Sequence, residues 1–67
     1  MSCYQLTKRE VEALQALADH GHEYLAAESL GISHNTLHRK LHIIRLKMQA
    51  RNTTHAVVMA WTRGWIR

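Results

Sequence analysis

Leu37, Leu41, Ile44 and Met48 recur at i, i+4, i+7 and i+11, the spacing of an apolar stripe along one side of an α-helix. At about 100° per residue, the opposite side of the same stretch carries Asn35, His38, Arg39 and His42. Arg45 flanks one edge of that side, and Lys40 and Lys47 flank the other. The pattern predicts a helix over 34–49, entered through a Ser33 cap. Its back is aliphatic and its front cationic and imidazole-bearing.

Three shorter patterns surround it. Thr7 and Glu10 have the spacing of a capping box, and Leu6 and Val11 that of a hydrophobic staple. Val11, Leu14, Leu17 and Ala18 then give an inward face that Gly21 closes, so a helix is expected over about 8–20. Ala26, Ala27 and Leu30 are the inward residues of a short helix over 23–30, with Tyr24 or Leu25 covering a flank. Gly31 ends it and Ile32 plugs the turn that follows. With Asn52 or Thr53 as cap, a last helix runs over about 53–63. One of its faces is Ala56, Val57 and Ala60; another holds Val58, Trp61 and Trp65, and Gly64 supplies the stop. Helix, glycine-bearing turn and second helix form a helix-turn-helix pattern.

The 67 residues amount to one small domain over 6–67, preceded by a flexible leader over 1–5. So short a chain buries a thin core, which makes dimerisation an expected source of extra stability. The absence of proline and the presence of only three glycines fit an all-α fold with short turns. A formal charge of +4, with six histidines in reserve, favours a polyanionic partner, nucleic acid ahead of membrane. The bland alternative is a charge that serves solubility. Cys3 is the only cysteine; an internal disulfide is impossible, which suits a reducing cytosol. No apolar run reaches the length of a membrane span and no signal peptide is visible. A soluble, cytoplasmic protein is therefore expected.

Several segments, in register, resemble the LuxR/GerE-type helix-turn-helix domain of bacterial transcription regulators. Leu6-Thr7-x-Arg9-Glu10-x-Glu12 is similar to that family's first-helix signature. Leu30-Gly31-Ile32-Ser33, then Thr36-Leu37, is similar to its turn and its entry into the recognition helix. Ile44, Lys47, Met48, Arg51-Asn52, Thr54, Ala56-Val57, Ala60 and Gly64-Trp65-Ile66 keep the spacing of its second half. The resemblance covers about Leu6 to Ile66 and implies a four-helix domain. Departures are visible too. Between Gly21 and Gly31 the chain is one residue shorter than usual. His22-Glu23-Tyr24-Leu25-Ala26 stands where Ser-x-Lys-Glu-Ile is common, at a place where the family contacts phosphate. His38 replaces a usual lysine and Lys40 a usual histidine. Family regulators usually carry an N-terminal sensing domain; the opening Met1 favours a stand-alone member over an excised piece.

The resemblance implies that His38, Arg39 and His42, with Asn35 on the same side, face base edges. Arginine forks onto guanine O6 and N7, a contact worth about 1–3 kcal/mol of discrimination, and histidine can donate to the same acceptors. Two other readings stay open for the imidazoles: a solvated polar face, or a metal shared by His34, His38 and His42. Nothing nearby supplies the further ligands of a zinc module, so neither metal nor cofactor is expected. Ser33, Thr36, Lys40, Arg45, Lys47 and Arg51 are candidate phosphate contacts around a helix N-terminus that favours anions, though several of the cations are expected only to solvate the surface. Val58, Trp61, Thr62 and Trp65 are the candidate dimer interface. Trp65 is expected to close the core and Trp61 to anchor the partner, unless Trp61 folds back on its own subunit. In the family the last helix pairs two subunits, which places two recognition helices about 34 Å apart.

No catalytic constellation or glycine-rich phosphate loop is present, and no enzyme is expected. The leading expectation is a homodimeric, sequence-specific regulator of transcription bound to double-stranded DNA. Its binding should weaken steeply with salt and strengthen towards about pH 6 as imidazoles gain charge. The alternative is a small interaction module that pairs with a related full-length regulator, in which Ile43 and Leu46 form an apolar strip near the last helix. A third reading is a simple oligomerisation scaffold.

Overall fold

The computed structural model describes residues 6–67; the expected leader over 1–5 lies outside them. Four helices follow in order: α1 (Lys8–His20), α2 (Glu23–Leu30), α3 (His34–Met48) and α4 (Thr53–Thr62). Among the described residues the fold is all-helical.

Local chemistry accounts for each boundary. The Thr7–Glu10 capping box is formed: the Glu10 N–H donates to Thr7 Oγ1 at 3.1 Å, and the Thr7 N–H to Glu10 Oε1 at 2.8 Å. Two backbone donors that α1 leaves unpaired are thereby satisfied. Gly21 takes a left-handed conformation, φ 69°, and turns the chain away. Ser33 Oγ accepts the Thr36 N–H at 3.1 Å, and Asn52 Oδ1 accepts that of His55 at 2.8 Å. Asn52, of the two candidates, is therefore the α4 cap. The α2 cap is His22, whose Nδ1 accepts the Tyr24 N–H at 3.2 Å. The α3 helix stops one residue short of expectation because Gln49 is itself left-handed, φ 57°. The α4 helix likewise ends at Thr62 rather than at residue 63.

The four stripe residues of α3, Leu37, Leu41, Ile44 and Met48, are all buried, and with Leu14 they are the largest sealed side chains. α3, like α1, packs on each of the other three helices, and it brings the largest share of the buried aliphatic side chains. Alanines supply the rest of the contact: Ala13 and Ala16 on α1, Ala26 and Ala27 on α2, Ala56 and Ala60 on α4. Small side chains let the helix backbones approach, which is how so short a chain closes a core.

Two inward assignments differ from expectation. Ala18 is exposed, while Ala13 and Ala16 are buried. The core face of α1 is thus rotated towards Ala13–Leu14, with Val11 and Leu17 as partly buried flanks. Trp65 does not close the core either: it is 37% exposed, and Ile66, 4% exposed, fills that place. The cause lies at the chain end. Arg67 and Gln15 exchange two hydrogen bonds, the Arg67 N–H to Gln15 Oε1 at 2.8 Å and Gln15 Nε2 to the Arg67 carbonyl at 3.1 Å. That clasp against α1 turns Ile66 inward and leaves Trp65 outside, under the Arg63 guanidinium at 5.2 Å. No helix of the described residues is long and apolar enough to cross a membrane.

Candidate nucleic-acid interface

The core stripe fixes the rotation of α3, and with it what the helix shows to the outside. Asn35, His38, Arg39 and His42 are all exposed. Ser33 and Thr36 are exposed at the α3 N-terminus, where the Ser33 hydroxyl also donates to Thr36 Oγ1 at 2.9 Å. Lys40 and Arg45 are half-buried at the two edges and Arg51 is exposed beyond the helix. Charge is segregated along the chain. All five Asp and Glu residues fall between positions 10 and 28, so α3 and α4 contain none.

The three α3 imidazoles divide: His34 and His38, ring centroids 6.1 Å apart, share one partner, and His42 has another. His34 Nε2 lies 3.1 Å, and His38 Nδ1 3.3 Å, from the same oxygen, Oε1 of Glu23. The Tyr24 ring stacks on His34 at 3.9 Å with an 11° tilt. The start of α2 is thus fastened to the first turns of α3 by one carboxylate and one ring. His42 instead faces Arg45, Nδ1 to Nη2 at 3.4 Å, while Arg45 Nη1 donates to the Ala50 carbonyl at 3.5 Å. Together with Arg51, Asn52 and Thr53, these side chains line a notch of about 180 Å³ between α3 and the α4 N-terminus. Among the described residues, no three His, Cys, Asp or Glu side chains are grouped to hold a metal ion.

Glu23 and Tyr24 were not foreseen as parts of this face. Histidines at i and i+4 on α3 share one side of a helix, a visible signal that one partner could serve both. Which acid from another helix would stand there is tertiary information.

Lys47 is engaged within the fold. Its Nζ donates to Glu10 Oε2 at 2.8 Å and Oε1 at 3.0 Å, and the Glu10 side chain is only 12% exposed. Burial pushes the Glu10 carboxyl up. The hydrogen bonds from Lys47 and Thr7, with the Lys47 charge, outweigh that push and hold it below its ordinary value. This cation ties α3 to α1.

The candidate dimer residues lie on the outer side of α4 and just beyond it. Val58 is 49% exposed and Trp61 66%, so Trp61 does not fold back on its own subunit. Thr62 is exposed and returns its hydroxyl to the Val58 carbonyl at 2.8 Å. Trp65 extends the strip past the helix end.

Comparison with known proteins agrees with this architecture. Residues 4–60 match the model of the GerE family, described as bacterial regulatory proteins of the luxR family. The chain is similar to the transcriptional regulatory protein DegU of Brevibacillus brevis, 36% identical over 62 residues. That match covers 92% of this chain and 26% of the relative, so the chain spans about a quarter of that protein's length. No solved structure matches the chain. On the match over residues 4–60 and the helix-turn-helix of α2 and α3, the chain belongs to the LuxR family of bacterial regulatory proteins.

Proposed function

We propose that the chain is a DNA-binding regulator of transcription that lays α3 in the major groove and pairs with a second copy through α4. One observation carries this reading. α3 is sealed into the core along one side and shows an exposed Asn35, His38, Arg39 and His42 on the other, with no carboxylate on the helix itself. Such a rod fits a groove in which base edges offer acceptors and phosphates flank both walls. Arg39 and His42, with Asn35 and His38, take the base edges. Lys40, Arg45, Arg51 and the α3 N-terminus at Ser33 and Thr36 take phosphates, and Lys47 acts through the fold. Val58, Trp61, Thr62 and Trp65 form the pairing surface, since apolar side chains this exposed on a small domain are a surface in want of a partner.

Selection from random duplexes with the purified chain tests the reading. The expected product is an inverted repeat whose half-sites lie about one helical turn apart. Binding to it should fall steeply between about 50 and 200 mM salt as counterions are released. Replacing Arg39 and His42 together by Ala should weaken it at least tenfold, on the scale of about 1–3 kcal/mol per lost bidentate base contact. Failure to enrich any duplex, or binding indifferent to salt, overturns the proposal. Enrichment of single half-sites overturns its dimer component.

A further inference from the structure

Two residues on the outward side of α3 have no place in a purely polar reading of that helix. Ile43 is 49% exposed and Leu46 56%, and neither joins the buried cluster or its partly buried fringe. Their position is defined by helix geometry. At about 100° per residue, Leu46 lies within about 20° of Arg39 around the axis, and Ile43 within about 40°. At about 1.5 Å per residue, Ile43 stands roughly 6 Å and Leu46 roughly 10.5 Å further along it. They continue the face of Asn35, Arg39 and His42 towards the helix C-terminus.

We propose that Ile43 and Leu46 read thymine, by packing against its C5-methyl group two to three base pairs from the base that Arg39 contacts. The inference rests on the assignment of α3 to the major groove and adds to it the chemistry of the bases read. The thymine methyl is the apolar feature that the four bases present on that groove edge. Contact with it removes exposed apolar area on both sides from water. The roughly 10.5 Å between Arg39 and Leu46 spans about three base-pair steps of 3.4 Å, so both ends of the face lie over one continuous run of bases.

The surroundings of the pair favour DNA over a protein as the occupant. Between His34 and Met48 there is no acidic residue, and Arg39, Lys40 and Arg45 interleave with the two aliphatic side chains. A protein-docking strip so bordered would bring unneutralised cations to its rim. A duplex supplies phosphates to them and a methyl to the aliphatic groups together. The strip is also continuous with the proposed base-reading residues, one turn of helix from Arg39.

Deoxyuridine differs from thymidine only in lacking that methyl, so the test changes little else. The duplex enriched by selection is resynthesised with thymines replaced singly by deoxyuridine. Each is then titrated against the wild-type chain and an Ile43→Ala/Leu46→Ala variant. Both side chains are exposed, so the variant is expected to keep its fold, which its circular dichroism checks. One or two replacements per half-site should weaken wild-type binding about threefold to fourfold, the scale of one buried methyl. The same replacements should leave the variant's affinity unchanged. If no replacement matters, or if it matters equally to the variant, the inference is wrong while the groove assignment stands. If the variant binds the duplex as the wild type does but loses association with another protein, the strip is a protein-docking surface and the inference is again wrong. If no duplex is enriched, the groove assignment fails first.

Discussion

Glu10 and Lys47 stand 37 positions apart in the chain and are joined by two hydrogen bonds, of 2.8 and 3.0 Å. They fasten the first turn of α1 to the last turn of α3, so the helix proposed to enter DNA is held at the end away from its N-terminal contacts. The Glu10 carboxyl lies below its ordinary value of 4.5 because the contacts from Lys47 and Thr7 overcome the effect of its burial. A carboxylate bound more tightly when ionised stabilises the fold fully above its unfolded pKa. It loses that contribution as pH falls through the lower folded value. Thermal unfolding followed from pH 7 to pH 3 should therefore show a decline that begins below about pH 4.5 and is smaller in Glu10→Gln. Lys47→Met should lower stability at pH 7 by about 1–3 kcal/mol, since it strands a nearly buried carboxylate.

Gln49 takes a left-handed conformation, φ 57°, and is the one non-glycine among the described residues to do so. It ends α3 with its own N–H on the Leu46 carbonyl at 3.2 Å and that of Ala50 on the Arg45 carbonyl at 3.0 Å. A residue bearing a Cβ is strained there by about 1–2 kcal/mol, and glycine returns part of any gain through the entropy of its unfolded chain. Gln49→Gly should therefore raise stability by about 0.5–1 kcal/mol. Gly31 presents the converse. It is left-handed at φ 73°, and an added Cβ meets nothing within 4 Å, so Gly31→Ala costs about 1 kcal/mol through backbone strain alone. Urea midpoints that shift in opposite directions at constant slope would confirm both.

Those two residues mark where sequence reading works and where it stops. The helix ends were legible because short-range chemistry decides them: Thr7 with Glu10, Ser33 with Thr36, Asn52 with His55, and the glycines at 21 and 31. The rotation of α3 was legible because four large aliphatics at helical spacing admit one inward face. His22 escaped notice as a cap because an imidazole acceptor is not among the usual capping side chains. Ile66 rather than Trp65 takes the core position because adjacent residues after a glycine turn face opposite ways. Which one faces in depends on the clasp between Arg67 and Gln15, 52 positions apart. The same holds at the candidate site. Periodicity placed Asn35, His38, Arg39, His42 and Lys47 away from the aliphatic stripe. It could not tell that Glu10 waits for Lys47, or Glu23 for His34 and His38, because those acids belong to other helices.

Glu23 sets up a contest that magnitudes can decide. Its Oε1 orients His34 at 3.1 Å and His38 at 3.3 Å, yet it also places a negative charge beside the face proposed to meet phosphates. The His38 side chain is 66% exposed, so a long contact in water holds it weakly, worth well under about 1 kcal/mol. Repulsion between one carboxylate and several phosphates within a Debye length of about 8–10 Å adds over each of them. The charge should win. Glu23→Gln keeps an acceptor for one imidazole and removes the charge, so it should tighten duplex binding about twofold to fivefold at low salt. The gain should fade as salt rises and screening shortens the reach of the carboxylate. Anisotropy titrations of wild type and Glu23→Gln at about 50 and 200 mM salt give the comparison. Weaker binding by the variant at both salts would mean that the hold of Glu23 on His38 outweighs its repulsion of the DNA.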